Sequence, residues 1–533
     1  MNRRRGTIAW LIGLALIAGG STCGGGDGSG GSRAVIRVRN PDPRCVALST
    51  VAFPPAFAFV PGPTGRVVAL DFAPPTLVPI DVEPVPPEIA ADPDVFELPP
   101  DSDGDGLEEG DRIPTIPIPD GLSIVDTDLA FITTSSYEAV LFFDPSAGRL
   151  RRFRVSVPTP PFVQGDNILL PAPGSHRSQT GISTAACVRP EPGATDSRGA
   201  PMSVALARVG RCDPTVPSYS PNFTSGVALA AGHLFVSMSN LNEDQGTLDT
   251  QYLPGSVLVY DLDLSSDPPQ ISPNAVVPVL PTSGFNPTHV TAIEVAGREF
   301  VLVSISGAIG LITDDPATSD VIERGAVART AAAIDVIDAQ TLEHVGTIPL
   351  GLAGLATGPL AIDPSGRVAV IGSQVGRTLL AVDLAGLDAL PSRAIDPVVL
   401  DTAVIFDAAK PFRIPPLLGG APPELCPGFT VGVAFNNAGD RLYATEFCDG
   451  SLASVGVDLS GSPTTAQLAQ RFELLDLQAV VSPIRTDTLG EARAPGAIRV
   501  RPGVPGVDFQ GPDVFVLVGE PEGALCGIRI ESR

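Results

Sequence analysis

Short hydrophobic runs separated by polar turns recur along the chain. The stretch GPLAIDPSGRVAVIGSQVGRTLLAVDL (358–384) contains three such runs, and Asp-Pro-Ser-Gly follows the first. Pairs of runs with Gly, Asn or Asp between them also occur at 122–135, 225–239, 289–306 and 431–446. These turn residues accommodate tight backbone geometry, and short apolar runs on either side are typical of β-hairpins. The pattern predicts antiparallel strands and few helices.

A third run in each copy ends on an aspartate. These residues are Asp71, Asp144, Asp261, Asp338, Asp383 and Asp458, and GIRIE, ending at Glu531, occupies the seventh place. A fourth run follows in several copies, as at 149–157 and 342–350. We interpret the aspartates as turn caps that accept hydrogen bonds from local backbone amides, because turn chemistry alone selects Asp there.

Seven copies of a four-stranded unit predict an all-β fold, a seven-bladed β-propeller over residues 34–533. A four-stranded sheet with two apolar faces cannot bury both by itself, so copies must pack around a common axis. Irregular spacing predicts long loop insertions, chiefly at 73–120 and 157–221, with others at 308–330 and 395–430. The alternating segment 34–40 is expected to supply the missing fourth strand of the last blade.

The phrase around DPSGRV (363–368), with its later apolar run ending on Asp, resembles that of seven-bladed YVTN-type and lactonase-like propellers. The resemblance covers most of residues 34–533. It implies the fold but not one activity, because this architecture hosts unrelated functions.

Residues 1–22 are predicted to be an export signal. Three arginines precede an apolar stretch at 7–20, which is short for a membrane span. Cys23 and the Gly/Ser-rich segment 23–33 follow, and the whole resembles a bacterial lipoprotein signal. The resemblance implies lipidation of Cys23 and, because Gly24 rather than Asp follows it, an outer-membrane location. Plain secretion is the alternative.

The net charge of −25 argues against a nucleic-acid partner, since phosphates require a basic surface. We expect a monomer whose only membrane attachment is the lipid anchor. Its partner is expected to be another protein or an envelope component.

Six cysteines remain after lipidation of Cys23, and an even number in an exported protein suggests disulfides. Within the predicted propeller, Cys426 and Cys448 fall at the same end of one hairpin. Spacing alone permits many pairings. The predicted pairs are Cys426–Cys448, Cys187–Cys212 within the 157–221 insertion, and Cys45–Cys526, which would lock the ring.

The segment DSDGDGLEEGD (101–111) has the pattern of a calcium loop. Alternating carboxylates followed by Gly direct several hard oxygens at one point. It resembles thrombospondin type-3 and EF-hand loops, which implies a structural Ca²⁺ site. The alternative is a solvated acidic linker. The ligand set that the resemblance implies is Asp101, Asp103, Asp105, Leu107 through its carbonyl, Glu109, and Asp111 in place of the usual final acid.

No catalytic residue is predicted. The four histidines, His176, His233, His289 and His344, are scattered, and only His289, at the start of the predicted fourth inner strand, is placed to face the channel. Such a lone histidine is more often a packed residue, because metal and base roles need partners.

The favoured function is that of a non-enzymatic binding module whose long loops contact a partner. The alternative is a lactonase-like hydrolase that acts on a small ester or lactone at the channel mouth. Calcium-dependent members of such propellers begin their inner strands with Glu, Asp or Asn. Here the strands begin mostly with Gly, Ser, Thr and Pro, with Asn286 and His289 as the exceptions.

Overall fold

The protein is built almost entirely of β-strands, and the all-β prediction is confirmed. The structure is a computed structural model, and it describes a defined set of residues. These are 45–46, 57–61, 66–72, 75–81, 119–126, 129–134, 139–144, 149–156, 159–164, 168–172, 176–179, 181–184, 187–188, 193–197, 199, 201, 224–242, 251–312, 325–328, 330–351, 357–373, 378–390, 394–400, 430–446, 451–461, 463–479, 495–500, 514–518 and 524–528.

The strands form a series of mainly antiparallel sheets in chain order. Strand β1 (Cys45–Val46) comes first. Sheet 1 contains β2 (Phe57–Pro61), β3 (Arg66–Phe72) and β4 (Pro75–Asp81). Sheet 2 contains β5 (Pro119–Asp126), β6 (Leu129–Thr134), β7 (Ala139–Asp144) and the short β8 (Arg149–Leu150).

Between sheets 2 and 3 the chain forms six more strands. They are β9 (Phe153–Ser156), β10 (Thr159–Gln164), β11 (Ile168–Ala172), β12 (His176–Gln179), β13 (Gly181–Ser183) and β14 (Cys187–Val188). Sheet 3 is built on β15 (Thr224–Ala230), β16 (His233–Met238), β19 (Pro254–Asp263), β20 (Gln270–Pro273) and β21 (Val279–Phe285). A small hairpin, β17 (Leu241–Asn242) and β18 (Gln251–Tyr252), projects from it.

Sheets 4 and 5 are regular four-stranded units. Sheet 4 contains β22 (Pro287–Val295), β23 (Arg298–Ile305), β26 (Ala332–Asp338) and β27 (Glu343–Gly351), with a hairpin of β24 (Ile309–Ile312) and β25 (Gly325–Ala328). Sheet 5 contains β28 (Thr357–Ile362), β29 (Val368–Ser373), β30 (Thr378–Asp383) and β31 (Val398–Leu400), with a 3-10 helix at Leu384–Ala389.

Sheets 6 and 7 complete the series. Sheet 6 contains β32 (Thr430–Phe435), β33 (Arg441–Glu446), β34 (Ser451–Val457) and β35 (Phe472–Ala479). Before β35 come helix α1 (Thr465–Leu468) and a 3-10 turn at Ala469–Arg471. Sheet 7 contains β36 (Pro495–Val500), β37 (Val514–Val518) and β38 (Ala524–Ile528), and β1 joins its edge.

The first strand of each sheet contacts the first strand of the next, which makes the fold a β-propeller. The contacts run β2 to β5, β5 to β15, β15 to β22, β22 to β28, β28 to β32 and β32 to β36. The inner strands therefore follow one another side by side, as blades do around an axis. The closure of this series into a ring of seven blades stays a prediction.

Apolar side chains fill the spaces between neighbouring sheets. In β23, Val301 and Val303 pack toward sheet 3, whereas Phe300 and Leu302 pack toward sheet 5. Strand side chains alternate between faces, so both faces of sheet 4 are covered. Burying each such side chain contributes roughly 1.5–3 kcal/mol. The inference that no single sheet can hide both faces is confirmed for the central blades.

The first described strand joins the edge of sheet 7. Strand β1 pairs with β38, with Cys45 opposite Ile528. The pairing residues are 45–46 rather than the predicted 34–40, which lie outside the described residues. This register places Cys45 two positions from Cys526 along β38.

The structure differs from the prediction over residues 153–183. Part of the segment predicted as the 157–221 insertion belongs to the sheets. Strand β13 pairs with β7 in sheet 2, while β9 and β12 extend sheet 3 through β20. The predicted fourth strand 149–157 is thus divided between two sheets. Sheet 1 also differs from the prediction. Asp71, predicted to end a third run, lies on β3, which is the second strand, and β4 lies within the range predicted as the 73–120 insertion.

The two ends of the propeller carry different connections. We call the end where the first strands begin the insertion end and the opposite end the turn end. The strand order places the connections 239–253 and 306–331, with their hairpins β17–β18 and β24–β25, at the insertion end. Within the described residues, no helix has the length and apolar character needed to cross a membrane.

Candidate binding face at the insertion end

The first strand of six sheets begins with a break in pairing register. The shifts lie between Pro119 and Leu122, Thr224 and Val227, Pro287 and His289, Thr357 and Leu360, Thr430 and Gly432, and Pro495 and Ile498. A bulge bends the strand and redirects nearby residues. The sequence interpretation missed these bulges, although each follows a Pro or Thr two or three residues before an apolar position.

Gly226 allows two of these bulged strands to approach closely. A Cβ atom at this position would lie 2.5 Å from the Val290 backbone nitrogen and 2.7 Å from the His289 Cα. Real Cβ atoms do not make such contacts with backbone, so only glycine fits. The inner strands of sheets 3 and 4 therefore meet backbone to backbone at the insertion end.

Hydroxyl groups join successive sheets at this end. Thr133 Oγ1 of sheet 2 donates to the Ser225 carbonyl of sheet 3. Ser225 Oγ donates to the Pro287 carbonyl of sheet 4 at 2.8 Å, and Thr288 Oγ1 donates to the Thr357 carbonyl of sheet 5 at 3.3 Å. We call these three bonds the hydroxyl clasps. Each satisfies a carbonyl at or beside the start of the next inner strand, where the bulge disturbs the ladder.

Three buried oxygens near the same strand ends accept or donate no hydrogen bond within the described structure. They are Asn286 Oδ1, Ser304 Oγ and Thr357 Oγ1. Asn286 is 2% exposed and has a left-handed backbone with φ of 58°, while Ser304 is fully buried. Buried polar atoms are normally satisfied, so this region favours a small polar molecule or water.

His289 is the predicted channel residue, and it lies among these groups. It is half-buried, pairs with Ser304 across β22 and β23, and sits against Gly226. The two neighbouring residues, Thr288 and Val290, are buried. Among the described residues, no three His, Cys, Asp or Glu groups cluster there as a metal site requires.

A second polar cluster, which sequence reasoning missed, joins sheet 3 to sheet 4. The Asp335 carboxylate, 1% exposed, accepts bonds from the Ser283 amide at 2.7 Å and from Ser283 Oγ at 2.5 Å. Thr347 Oγ1 donates at 2.8 Å, and His344 Nε2 lies 3.3 Å away. We call these four residues the Asp335 latch. Ser283 bonds to the carboxylate rather than to the imidazole, so the latch is not a nucleophile arrangement.

The latch shifts the pKa of both titratable members. Burial alone would raise the pKa of Asp335, but hydrogen bonds from His344, Ser283 and Thr347 outweigh it and hold the pKa below its ordinary value. The hydrogen bond to Asp335 in turn raises the pKa of His344. The remaining histidines are separate: His233 Nδ1 lies 2.9 Å from Asp261 Oδ1, and His176 is exposed on β12.

The recurring aspartates cap turns as predicted in three described blades. Asp338 Oδ1 accepts from the amides of residues 340 and 341, Asp383 Oδ1 from residue 385, and Asp458 Oδ1 from residue 460. Sheet 3 departs from the pattern because β19 extends beyond Asp261 and the cap is Asp263. Asp261 instead accepts from Asn274 at 2.7 Å.

Several predicted sites lie outside the described residues. They are the calcium loop with Asp101, Asp103, Asp105, Leu107, Glu109 and Asp111, the lipidation site Cys23, and the cysteines Cys212, Cys426 and Cys448. Cys187 lies on β14, and Thr430 pairs with Glu446 at the base of the hairpin flanked by Cys426 and Cys448. All three disulfides stay predictions.

No protein-family model and no curated protein matches the sequence. Among solved structures, the chain is similar to hydrazine synthase of Kuenenia stuttgartiensis, with 10% identity, a TM-score of 0.44, and coverage of 95% of this chain and 100% of that one. It is also similar to the periplasmic gluconolactonase PpgL of Pseudomonas aeruginosa, with 14% identity, a TM-score of 0.33, and coverage of 59% and 73%.

A third similar structure is the Cps50 (Swd1) β-propeller domain of Myceliophteria thermophila, with 9% identity, a TM-score of 0.31, and coverage of 77% and 96%. These similarities accord with the β-propeller that the strand order defines. All three TM-scores are below 0.5.

Proposed function

We propose that the protein is an exported, lipid-anchored β-propeller that binds a protein or envelope partner through its insertion end. The observation that carries the proposal is the asymmetry of the connections. At this end the connections 239–253 and 306–331 carry the hairpins β17–β18 and β24–β25, whereas the connections described at the other end are tight turns or the short helical segments 384–390 and 463–471. Loops on a rigid scaffold are where binding surfaces are built.

The scaffold beneath these connections is rigid by construction. The hydroxyl clasps and the close approach at Gly226 fix β6 of sheet 2 and the inner strands of sheets 3 to 5 relative to one another. A fixed base holds loops from different blades in constant relation, which reduces the entropy lost on binding. The lipid at Cys23 would keep this face in the envelope, and the calcium loop would brace the connection between sheets 1 and 2.

The β24–β25 hairpin offers a clean way to test the insertion end. The Ala308 amide donates to Thr330 Oγ1 at 2.8 Å, and the Thr330 amide donates to the Ala308 carbonyl at 3.3 Å. The hairpin is therefore closed at its base, and residues 309–329 can be replaced by a short Gly/Ser turn. Deleting 157–221 would instead remove β12 and β13 from sheets 2 and 3.

The experiment is affinity capture from native envelopes with the whole protein, the hairpin variant and a control. The control shortens the 501–513 connection, which joins β36 to β37 at the turn end. We expect the hairpin variant to lose a specific partner that the control retains. Equal capture by all three proteins would contradict a role for the β24–β25 hairpin, and partner loss by the control alone would assign binding to the turn end.

The hydrolase alternative has one observation in its favour. The unsatisfied hydroxyl of Ser304 is buried opposite His289, and a hydroxyl can donate to a small ester or lactone. The test is hydrolysis of a panel of lactones with and without Ca²⁺, using the whole protein and His289→Gln. Turnover that depends on His289 would replace the binding proposal with the enzymatic one.

A further inference from the structure

The space between sheets 4 and 5 is lined by apolar side chains over most of its length. Phe300 and Leu302 of β23 pack there with Leu360 of β28 in one buried cluster. Side chains alternate along a strand, so Ser304 of β23 faces the same space, two positions nearer the insertion end. Its partner across β26, Ile334, belongs to the same cluster, which supports this orientation. Sheet 4 therefore presents a hydroxyl at the insertion end of this space.

Sheet 5 presents a second hydroxyl to the same space. Thr357, at the start of β28, pairs with position 373 of β29, two positions beyond Ile371 of the same buried cluster. Paired positions share a face of a sheet, so Thr357 faces sheet 4. Strand β28 contacts both β22 and β23, and Thr288 Oγ1 of β22 donates to the Thr357 carbonyl at 3.3 Å. This clasp holds the two sheets together where Ser304 and Thr357 lie.

The two hydroxyls are buried without hydrogen bonds of their own. Ser304 is fully buried and Thr357 is 1% exposed, and neither Ser304 Oγ nor Thr357 Oγ1 has a hydrogen-bond partner among the described residues. A buried hydroxyl without a partner carries the full cost of its lost hydration. Because both hydroxyls face one space and do not bond to each other, one small molecule between them can satisfy both.

The surroundings of the two hydroxyls are uncharged. The strand segments that carry or adjoin them contain no Asp, Glu, Lys or Arg, and they are 286–293, 300–305, 357–362 and 368–373. Asp335 of β26 is bonded to Ser283 on the sheet 3 side. An ion bound here would lack a compensating charge, which makes its burial costly. The arrangement favours a neutral group that both donates and accepts hydrogen bonds, which is the chemistry of a hydroxyl.

We propose that one neutral hydroxyl group binds between Ser304 Oγ and Thr357 Oγ1 and bridges sheets 4 and 5. Its source is a water molecule or the hydroxyl of a small polyol, since both present the same donor and acceptor. The bound group satisfies both side chains at once and adds a bridged contact beside the direct clasp of Thr288. The proposal concerns the scaffold beneath the loops, so it does not depend on the identity of the partner at the insertion end.

The test is a double-mutant cycle on the whole protein, measured by urea denaturation. The variants are Ser304→Ala, Thr357→Val and the two combined, and both changes remove a hydroxyl with little change in volume. Each single change breaks one bond of the bridging group and leaves the other hydroxyl unpaired. We expect each single variant to raise the equilibrium constant for unfolding about fivefold, and the double variant to raise it no more than about tenfold, whereas independent losses would give about 25-fold.

Two results of the cycle would overturn the proposal. If both single variants were as stable as the parent or more stable, the space would be dry, because removal of an unpaired buried hydroxyl relieves a cost. If the losses multiplied in the double variant, the two hydroxyls would have separate partners. Thr357→Ser, which keeps the hydroxyl, should raise the unfolding constant less than Thr357→Val. The reverse order would attribute the loss to packing and would also overturn the proposal.

Ser454 of β34 provides the matched control. Its Oγ is likewise buried without a hydrogen-bond partner among the described residues, but the described part of sheet 6 contains no second atom of this kind. With no second hydroxyl to bridge to, Ser454→Ala should leave the unfolding constant within about twofold of the parent value. An equal rise in Ser454→Ala and Ser304→Ala would contradict the proposal, because an isolated hydroxyl would then behave in the same way as a bridged one.

Glycerol is the probe that distinguishes the two sources of the hydroxyl. Urea denaturation of the parent and of the double variant is repeated with added glycerol. Greater stabilisation of the parent than of the double variant would assign the site to a polyol. Equal stabilisation, with the cycle as expected, would assign it to water, because glycerol would then act only through its general exclusion from protein surfaces.

Discussion

The two ends of the propeller are held together by different kinds of contact. At the turn end, polar side chains mostly serve their own turn: Asp363 accepts from the amides of residues 365, 367 and 368, and Asn436 from residues 440 and 441. At the insertion end, the hydroxyl clasps join residues 92, 62 and 69 positions apart.

The difference is one of degree, because the turn end also has links between sheets. Glu299 accepts from the Ala231 amide at 2.5 Å, and Arg367 donates to the Pro463 carbonyl at 2.6 Å. These links occur at an end where the turns also have hydrogen bonds of their own. The insertion end depends on its long-range contacts, since its loops leave the inner strands without tight turns of their own. Stability should therefore respond differently to substitutions at the two ends.

The largest effect is expected from Gly226→Val at the insertion end. The added side chain would collide with backbone atoms of residues 289 and 290, which cannot move aside as a flexible side chain can. We expect a loss of about 3 kcal/mol in the free energy of unfolding, measured by urea denaturation followed by far-UV circular dichroism.

Gly226→Ala and Gly346→Ala sharpen this result. The alanine at 226 should also destabilise, and it serves if the valine variant does not fold. At Gly346 the nearest atom to an added Cβ is 3.5 Å away, so little change is expected. Equal stability of the two alanine variants would mean that the inner strands do not approach as described.

At the turn end, Asp363→Ala should cost about 2 kcal/mol, because several turn amides lose their acceptor at once. Asp363→Asn should lose only about half as much stability as Asp363→Ala. The reason is that Asn436 caps the equivalent turn of sheet 6 with one amide oxygen. Urea denaturation of both variants tests this. Identical losses for Ala and Asn would show that the negative charge, rather than the acceptor geometry, is what matters.

Removal of one clasp, Ser225→Ala, should cost about 1 kcal/mol. The loss is moderated because Ser239 Oγ also donates to the Pro287 carbonyl, at 3.2 Å. Ser265→Ala, which removes an exposed bond to Asp263 only two residues away, is the control and should change stability less. A greater loss in the control would reverse the comparison between long-range and local bonds.

The smallest expected effect is the pH dependence of the Asp335 latch. The raised pKa of His344 means that its contribution is present below its unfolded value of 6.5 and is lost as pH rises through the folded pKa. The lowered pKa of Asp335 means that its contribution is present above 3.8 and is lost as pH falls through the folded pKa. The latch is therefore strongest between these limits.

His344→Gln should consequently cost more near pH 5 than near pH 9. The His344 side chain is 38% exposed, so solvent screening keeps the cost below about 1 kcal/mol. Thermal unfolding of both proteins across this range measures the difference. A cost that grows with rising pH would show that the neutral imidazole, not the imidazolium, stabilises the latch.

Much of the fold was predictable from local pattern. The runs at 289–306 and 358–384 correspond to β22–β23 and β28–β30, because alternation and turn residues act within a few positions. The caps at Asp338, Asp383 and Asp458 were predictable for the same reason. The division of 149–157 between two sheets was not predictable, because β9 pairs with a strand more than a hundred positions later.

The candidate site was less predictable than the fold. Small residues at the inner-strand starts were visible in the sequence, but their roles were not. Gly226 reads as an ordinary turn residue until the backbone of residues 289 and 290 is beside it. Ser283, Asp335 and His344 share no spacing that would suggest contact, and only the packing of β21 on sheet 4 brings them together.

By itself, the sequence determined the strands, their two apolar faces and the turns that cap them, since each depends on residues only a few positions apart. Tertiary structure decided which sheet receives β9, β12 and β13, and which hydroxyl donates to which carbonyl. Those outcomes include contacts between residues 52, 92 and 116 positions apart. Such distances are set by how neighbouring blades pack, and no local pattern of side chains encodes them.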